Sequence, residues 1–179
     1  MNNVKYFQLR LKKHSEKKIL KISKKILRIC KNNNVKLIIN DLPQIAQKTK
    51  ADGCHIGQQD ASFIEAKKIL KSKIIGVTCH GSKKLVAEAI KNKVSYIALG
   101  SFFKSKLKPE AKRSRLEIIK WTKKKTKIPL VAIGGINNKN YRRLLKQGVN
   151  FIAISSFIWN NPSSNEFEAL KSLNYENKL

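Results

Sequence analysis

Short apolar segments alternate with longer amphipathic segments along the chain. Several short segments, such as residues 37–39 and 130–133, are almost continuous in β-branched and other apolar residues. Such runs are typical of strands that are buried on both faces of a parallel sheet. The pattern predicts strands at residues 4–10, 35–40, 53–56, 74–78, 96–100, 129–133 and 151–155.

The amphipathic segments between these strands predict helices. In the first helix, Ile19, Ile22, Ile26 and Ile29 recur at three- and four-residue steps and predict its buried face, and Ser15 is the expected N-cap. The predicted helices lie at residues 14–31, 42–48, 62–70, 82–91, 114–125 and 139–147.

Alternating strands and helices predict an α/β fold with a parallel sheet, in one domain over residues 1–179. Two architectures fit, a TIM (β/α)8-type barrel and a doubly wound open sheet. No GxGxxG follows the first strand, so the dinucleotide fingerprint of the open sheet is missing. Polar residues collect after the carboxyl ends of the strands, where barrel enzymes carry their active sites. We therefore expect a barrel that has seven visible strands instead of eight.

Gln8, Arg10 and Lys12 stand two residues apart at the end of the first strand, so they point to one side. An amide, a guanidinium fork and an ammonium group together suit the oxygens of a pyrophosphate. The alternative is a solvent-facing stripe, because lysine is common throughout this chain.

Asp41 and Asp60 each follow a buried strand and are scarce acids in a basic protein. A pair of carboxylates suits Mg²⁺, which prefers oxygen ligands shared with substrate phosphates. The alternative is that each caps the helix that follows it.

Gly134 and Gly135 separate the sixth strand from a helix, where bare backbone N–H groups can approach a phosphate. With Ser155 and Ser156 after the seventh strand, they predict the phosphate site of a barrel. His80 fits two roles equally well, an acid or base beside a pocket and a residue that packs a loop.

The net charge is +28, from 39 Lys and Arg against 11 Asp and Glu. The lysines are spread over predicted helix faces, so we interpret them as solvated surface and expect no specific nucleic-acid partner. The three cysteines are too few for a disulfide framework and are expected to pack as small apolar residues. No apolar stretch has the length of a membrane span or a signal core, so we expect a cytoplasmic protein without membrane contact.

Taken together, the motifs resemble thiamine-phosphate synthase from residue 8 to residue 156. The order and spacing of the motifs make the resemblance specific. They read QLRLK at 8–12, IIND at 38–41, ADGCHIGQQD at 51–60, IGVTCH at 75–80, YIALGSFFKSKLK at 96–108, IPLVAIGGI at 128–136 and FIAISSFI at 151–158.

The resemblance implies that hydroxymethylpyrimidine diphosphate loses pyrophosphate and that a thiazole phosphate takes its place, giving thiamine phosphate. It also implies small phosphorylated substrates as partners, and it leaves a homo-oligomer open. The implied ligands of Mg²⁺ are Asp41 and Asp60. The implied catalytic residues are Arg10, Lys12, Thr78 and Lys108, and the implied substrate contacts are Gln8, Asn40, Ser105, Gly135, Ser155 and Ser156.

The sequence departs from the family pattern at three points. The family strand that precedes QLRLK has no counterpart, and neither do the pocket residues on it. Ser101 replaces a proline and Leu107 replaces a hydroxyl residue. Two alternatives therefore stay open, a thiazole tautomerase of the same barrel family that uses a histidine in the His80 loop, and a non-catalytic protein that binds phosphates or polyanions.

Overall fold

The computed structural model describes residues 4–104, 110–160 and 164–173. Strands and helices alternate along them, as the sequence predicts for an α/β fold. The strands are β1 (Tyr6–Leu9), β2 (Lys36–Asn40), β3 (Gly53–Ile56), β4 (Ile74–His80), β5 (Tyr96–Gly100), β6 (Leu130–Ile133) and β7 (Phe151–Ala153). The helices are α1 (Glu16–Asn32), α2 (Pro43–Thr49), α3 (Phe63–Leu70), α4 (Lys83–Lys91), α5 (Glu117–Lys125), α6 (Tyr141–Lys146), α7 (Ser156–Trp159) and α8 (Glu166–Lys171).

The contacts of the chain group it into two compact units. The first, called the N-terminal unit, comprises Val4–Thr78 and Asn92–Tyr96. In it β1 pairs with β2, β2 with β3, and β3 with β4, all in parallel. Helices α1, α2 and α3 connect these strands, and α1 packs on α2 and α2 on α3. The unit is therefore a run of consecutive βα units, the repeating element of a TIM barrel.

The second, called the C-terminal unit, includes Cys79–Lys91 and Ile97–Leu179. Its strands β5 and β6 pair in parallel, and so do β6 and β7. Helix α6 packs on β7, and the short helices α7 and α8 pack on each other. This unit repeats the parallel βα arrangement of the first.

The core of the N-terminal unit confirms the expectation of strands buried on both faces. Leu37, Ile38 and Ile39 of β2 are all at most 2% exposed. The buried strand is enclosed because the helices on its outer side contribute residues such as Ile45 and Ala46. All three cysteines are buried free thiols, as predicted.

All seven predicted strands and six predicted helices are present, and Ser15 caps α1 through its side chain. Helices α7 and α8 were not predicted. The predicted inward position of Ile29 is wrong, because the side chain is 59% exposed while Cys30 is buried. From Ile26 the buried stripe of α1 continues four residues later, at Cys30, instead of three residues later.

Candidate active site

One face of the sheet in the N-terminal unit carries polar side chains on four neighbouring strands. The register pairs Gln8 with Ile38, Asn40 with His55, and His55 with Gly76. Paired residues in a parallel sheet point to the same face, and so do residues two apart on one strand. Gln8, Asn40, His55 and Thr78 therefore lie on the same face.

Of the three polar side chains at the end of β1, Gln8 forms a hydrogen bond with another predicted site residue, Asn40. The Gln8 amide Nε2 donates to Oδ1 of Asn40 at 2.6 Å. Gln8, Arg10 and Lys12 are exposed and alternate with half-buried leucines, so the alternation of β1 continues to Lys12. Gln8 is thus held by a hydrogen bond, and the two cations remain accessible to an anion.

Asp41 lies beside both Lys12 and Asp60. Nζ of Lys12 is 3.6 Å from Oδ2 of Asp41, and the Asp41 side chain is 17% exposed. Burial raises the pKa of Asp41, hydrogen bonding and repulsion by the Asp60 carboxyl raise it further, and the Lys12 ammonium opposes the shift. Two carboxyl groups that face each other in this way favour either a shared proton or a bound cation.

The backbone fixes the direction of both carboxyl groups. Asp41 has φ 66°, a left-handed conformation that aspartate tolerates better than most residues, and its N–H donates to the carbonyl oxygen of His55 at 2.8 Å. The Asp60 carboxylate accepts from the N–H of Gly57 at 3.0 Å. Both acids are therefore held near the carboxyl ends of β2 and β3.

Neither acid caps a helix. The N-cap of α2 is Leu42, and the N-cap of α3 is Ser62, which forms a capping box with Glu65. Since each helix begins without an aspartate cap, the capping interpretation of Asp41 and Asp60 is wrong.

Within the described residues no group of three or more His, Cys, Asp or Glu is placed to hold a metal. Two carboxylates still fit Mg²⁺, which commonly takes one or two protein carboxylates with substrate phosphates and water.

His55 lies between two hydroxyl groups. Its Nδ1 is 2.9 Å from the Tyr96 hydroxyl, and its Nε2 is 2.7 Å from Oγ1 of Thr78. The rings of His55 and Tyr96 stack with 5.6 Å between their centres. Burial lowers the pKa of His55 to about 4, against an opposing effect of the Asp60 carboxylate, so the imidazole is neutral at neutral pH.

Sequence reasoning singled out Thr78 but missed its two partners, His55 and Tyr96. The available signal was a single polar residue, His55, in a strand that is otherwise apolar, because a buried imidazole requires hydrogen-bond partners. A second signal was Gly76, where a Cβ atom would lie 1.8 Å from the Tyr96 ring. The amide of Gln58, also missed, donates to the carbonyl oxygen of Thr78.

In the C-terminal unit, Gly134 and Gly135 form a tight loop after β6. Their φ values are 102° and 64°, and a Cβ at Gly134 would lie 2.1 Å from Oγ of Ser101. The N–H of Phe103 donates to the carbonyl oxygen of Gly134, and Asn140 donates to that of Gly135. The loop thus requires glycine for its backbone and for its close packing, and its shape is fixed by hydrogen bonds.

Ser155 and Ser156 lie at the start of α7, with Ser155 as its N-cap and Ser156 as its first residue. The Ser155 side chain makes no capping hydrogen bond. N–H groups in a first helical turn have no acceptor within the helix, which suits an anion. The C-terminal unit therefore carries both predicted segments of the phosphate site.

Two predicted site residues, Ser105 and Lys108, lie outside the described residues.

His80 is exposed at the end of β4, with φ 50°. Its neighbour Cys79 is buried, donates to the carbonyl oxygen of Leu85, and has its pKa raised by burial to about 12. A thiol in that state is a packing group and not a nucleophile.

Consecutive parallel βα units, with polar side chains near the carboxyl ends of their strands, define an α/β protein of the TIM-barrel type. The family model described as thiamine monophosphate synthase matches residues 1–158 of the chain. The chain belongs to the thiamine monophosphate synthase family.

Comparison of the chain with individual proteins supports the same family. The chain is 49% identical to the thiamine-phosphate synthase of Pelagibacter ubique over 95% of this chain and 82% of that protein. It is 38% identical to the enzyme of the same name from Erythrobacter litoralis, over 86% of this chain and 73% of that one. Among solved structures, a thiamine phosphate pyrophosphorylase from Pyrococcus furiosus has a TM-score of 0.86 and 30% identity, over 94% of this chain and 80% of that one.

No helix in the described part of the chain combines the length and apolar character that a membrane crossing needs. The cytoplasmic location and the oligomeric state stay predictions.

Proposed function

We propose that this chain is a Mg²⁺-dependent transferase that makes thiamine phosphate from hydroxymethylpyrimidine diphosphate and a thiazole phosphate. Membership of the thiamine monophosphate synthase family supports the reaction. The observation that carries the metal dependence is the Asp41–Asp60 carboxyl pair beside Lys12.

The reaction breaks one bond and forms one. The bond between the pyrimidine methylene carbon and the diphosphate oxygen breaks, and its electron pair leaves with pyrophosphate. The thiazole ring nitrogen then supplies its lone pair to the methylene carbon and becomes a thiazolium nitrogen. No proton has to be moved, so the protein contributes mainly charge stabilisation and positioning.

In the N-terminal unit, the residues that bind diphosphate are proposed to be Arg10, Lys12 and Thr78. Arg10 and Lys12 are exposed cations at the end of β1, and Thr78 offers a hydroxyl near the end of β4. Gln8 and Asn40 are joined by a hydrogen bond and are proposed to contact the pyrimidine or its diphosphate.

The metal is proposed to be held by Asp41 and Asp60. Mg²⁺ would supply positive charge to the oxygens of the leaving pyrophosphate. Without it, burial, hydrogen bonding to the Asp60 carboxyl and repulsion by that carboxyl raise the pKa of Asp41. The site is therefore built to gain from a bound cation.

In the C-terminal unit, the thiazole phosphate is proposed to bind at the backbone N–H groups of Gly135, Ser155 and Ser156. Two observations support this, the left-handed backbone at Gly135 and the position of Ser155 and Ser156 at the start of α7, since backbone N–H groups in such places can bind an anion. Ser105 and Lys108 keep the roles that the family resemblance implies, toward the thiazole and the diphosphate respectively.

The test mixes purified protein with both substrates, with and without Mg²⁺, and measures thiamine phosphate by chromatography. We expect product only with Mg²⁺, and we expect Asp60→Asn to reduce it by at least about 100-fold, the scale of losing a group that stabilises transition-state charge. Absence of product from folded wild-type protein would contradict the proposal.

Asp52→Asn is the matched control. Asp52 is the one other aspartate in the sequence, and its carboxylate accepts the Leu37 N–H at 2.8 Å, which an asparagine oxygen can also accept. We expect this variant to keep Mg²⁺-dependent activity. Mg²⁺ should raise Tm for wild type and Asp52→Asn but not for Asp60→Asn, a readout that requires no turnover.

Two further assays of the same protein, one with a thiazole carboxylate phosphate as substrate and one of phosphate binding, separate the two alternatives. A thiazole tautomerase would isomerise a thiazole carboxylate phosphate without Mg²⁺, and a binding protein would retain phosphates without turnover. Retention of Asp41 and Asp60 favours the synthase, because neither alternative needs a pair of acids for Mg²⁺.

A further inference from the structure

The hydroxyl of Tyr96 has a single hydrogen-bond partner among the described residues, Nδ1 of His55. The ring of Tyr96 fills the space above Gly76, the residue that pairs with His55 across β3 and β4. A Cβ atom at residue 76 would overlap this ring, so the sheet leaves room for Tyr96 by having a glycine there. The packing thus holds the phenol at the imidazole.

This arrangement decides which nitrogen of His55 carries the proton. A neutral imidazole has one N–H and one lone pair, and the two tautomers exchange them. If Nδ1 carried the proton, it would donate to Tyr96, and the phenol proton would have no protein acceptor in the described structure. If Nδ1 carries the lone pair, the phenol donates to it, His55 donates to Thr78, and the proton left without a protein acceptor in the described structure is that of Thr78. Burial raises the pKa of the Tyr96 phenol, whereas Thr78 lies near the carboxyl end of β4, where a ligand can accept its proton. Because an unpaired hydroxyl proton costs most where it is buried away from any acceptor, the second tautomer is favoured.

The tautomer in turn decides what Thr78 can do. With the proton on Nε2, His55 donates to Oγ1 of Thr78 at 2.7 Å. The threonine oxygen is then occupied as an acceptor from this side, and its own O–H is left to donate elsewhere. With the other tautomer, the Thr78 O–H would donate its hydrogen bond to Nε2 of His55. Only the lone pairs of the threonine oxygen would then face the ligand, and lone pairs repel an anion.

We propose that Tyr96, acting through His55, aims the Thr78 hydroxyl as a hydrogen-bond donor at an anionic oxygen of the substrate. Tyr96 and His55 are positioning residues, and Thr78 is the group that touches the ligand. The inference rests on the proposed function only in naming the ligand as a diphosphate.

The first test reads the tautomer directly. The chain has three histidines, and His14 and His80 are exposed. In ¹⁵N NMR spectra at neutral pH we expect His55 of wild type to carry its proton on Nε2. Tyr96→Phe keeps the ring and removes the hydroxyl, so His55 should shift toward a mixture of tautomers. A proton on Nδ1 in wild type would overturn the proposal.

The second test measures binding of inorganic pyrophosphate with Mg²⁺ by calorimetry. Thr78→Val should weaken Kd by about 10- to 100-fold, the range for a lost hydrogen bond to a charged group. Thr78→Ser should restore it. Tyr96→Phe should weaken binding as well, but the double variant should be no worse than Thr78→Val alone, because Tyr96 acts only through Thr78.

Additive losses in the double variant, or tight binding by Thr78→Val, would overturn the inference. The proposed function fails on a different result, absence of thiamine phosphate in the assay with both substrates. An active wild-type enzyme with additive variants would therefore reject the positioning role alone.

Discussion

Replacing His55 should make the protein less sensitive to acid. The imidazole is 6% exposed, and its pKa in the folded state is about 4, whereas a histidine in the unfolded chain titrates near 6.5. A lowered pKa means that the unfolded state binds a proton more readily than the folded state. Stability is therefore complete above the unfolded pKa and is lost as pH falls toward the folded pKa.

The size of the effect follows from the two pKa values. Between about pH 7.5 and about pH 4.5, His55 should cost the folded state about 2.5 kcal/mol, at 1.36 kcal/mol for each pKa unit. This is a large share of the stability of a small protein. Asn is a suitable replacement, because its amide can still meet the Tyr96 hydroxyl and does not titrate.

The assay is urea unfolding followed by circular dichroism at a series of pH values. Other titrating groups are common to wild type and His55→Asn, so they cancel in the difference in unfolding free energy. That difference should move by about 2.5 kcal/mol in favour of the variant on acidification. A difference that stays constant across this pH range would refute the reasoning.

Three further substitutions test other parts of the structure. Asp41→Asn should raise Tm at neutral pH without Mg²⁺, because the raised pKa of Asp41 means that its carboxylate destabilises the folded state above that pKa; thermal melts with and without Mg²⁺ check this. Gly76→Ala should lower the free energy of unfolding by about 1–3 kcal/mol, the usual cost of overpacking, since its Cβ would overlap the Tyr96 ring, and urea unfolding measures the loss. Ser62→Ala should cost about 1 kcal/mol in the same assay, because it removes the capping box of α3.

The sequence predicts the fold well because the strands are runs of apolar residues and the polar candidate site residues follow their carboxyl ends. The predicted strand at residues 74–78 continues to His80, and the one at 151–155 ends at Ala153. Such ends depend on pairing with neighbouring strands, which a local pattern does not contain.

The site is only partly visible in the sequence. Asp41 and Asp60 stand out because acids are rare and both follow buried strands. The role of His55 could not be predicted, because its partner Tyr96 is 41 residues away and approaches through a space left by Gly76. Contacts of this kind depend on which strands lie side by side. The order of residues along the chain does not show which hydroxyl group contacts each imidazole nitrogen.

The three buried thiols allow local opening of the structure to be measured by the rate at which each thiol reacts. Cys30 and Cys54 belong to the N-terminal unit and Cys79 to the C-terminal unit. A thiol-directed reagent can reach each sulfur only when the surrounding structure opens. Labelling rates of variants that keep one cysteine would therefore give the opening free energy of each unit separately, without introducing any new cysteine.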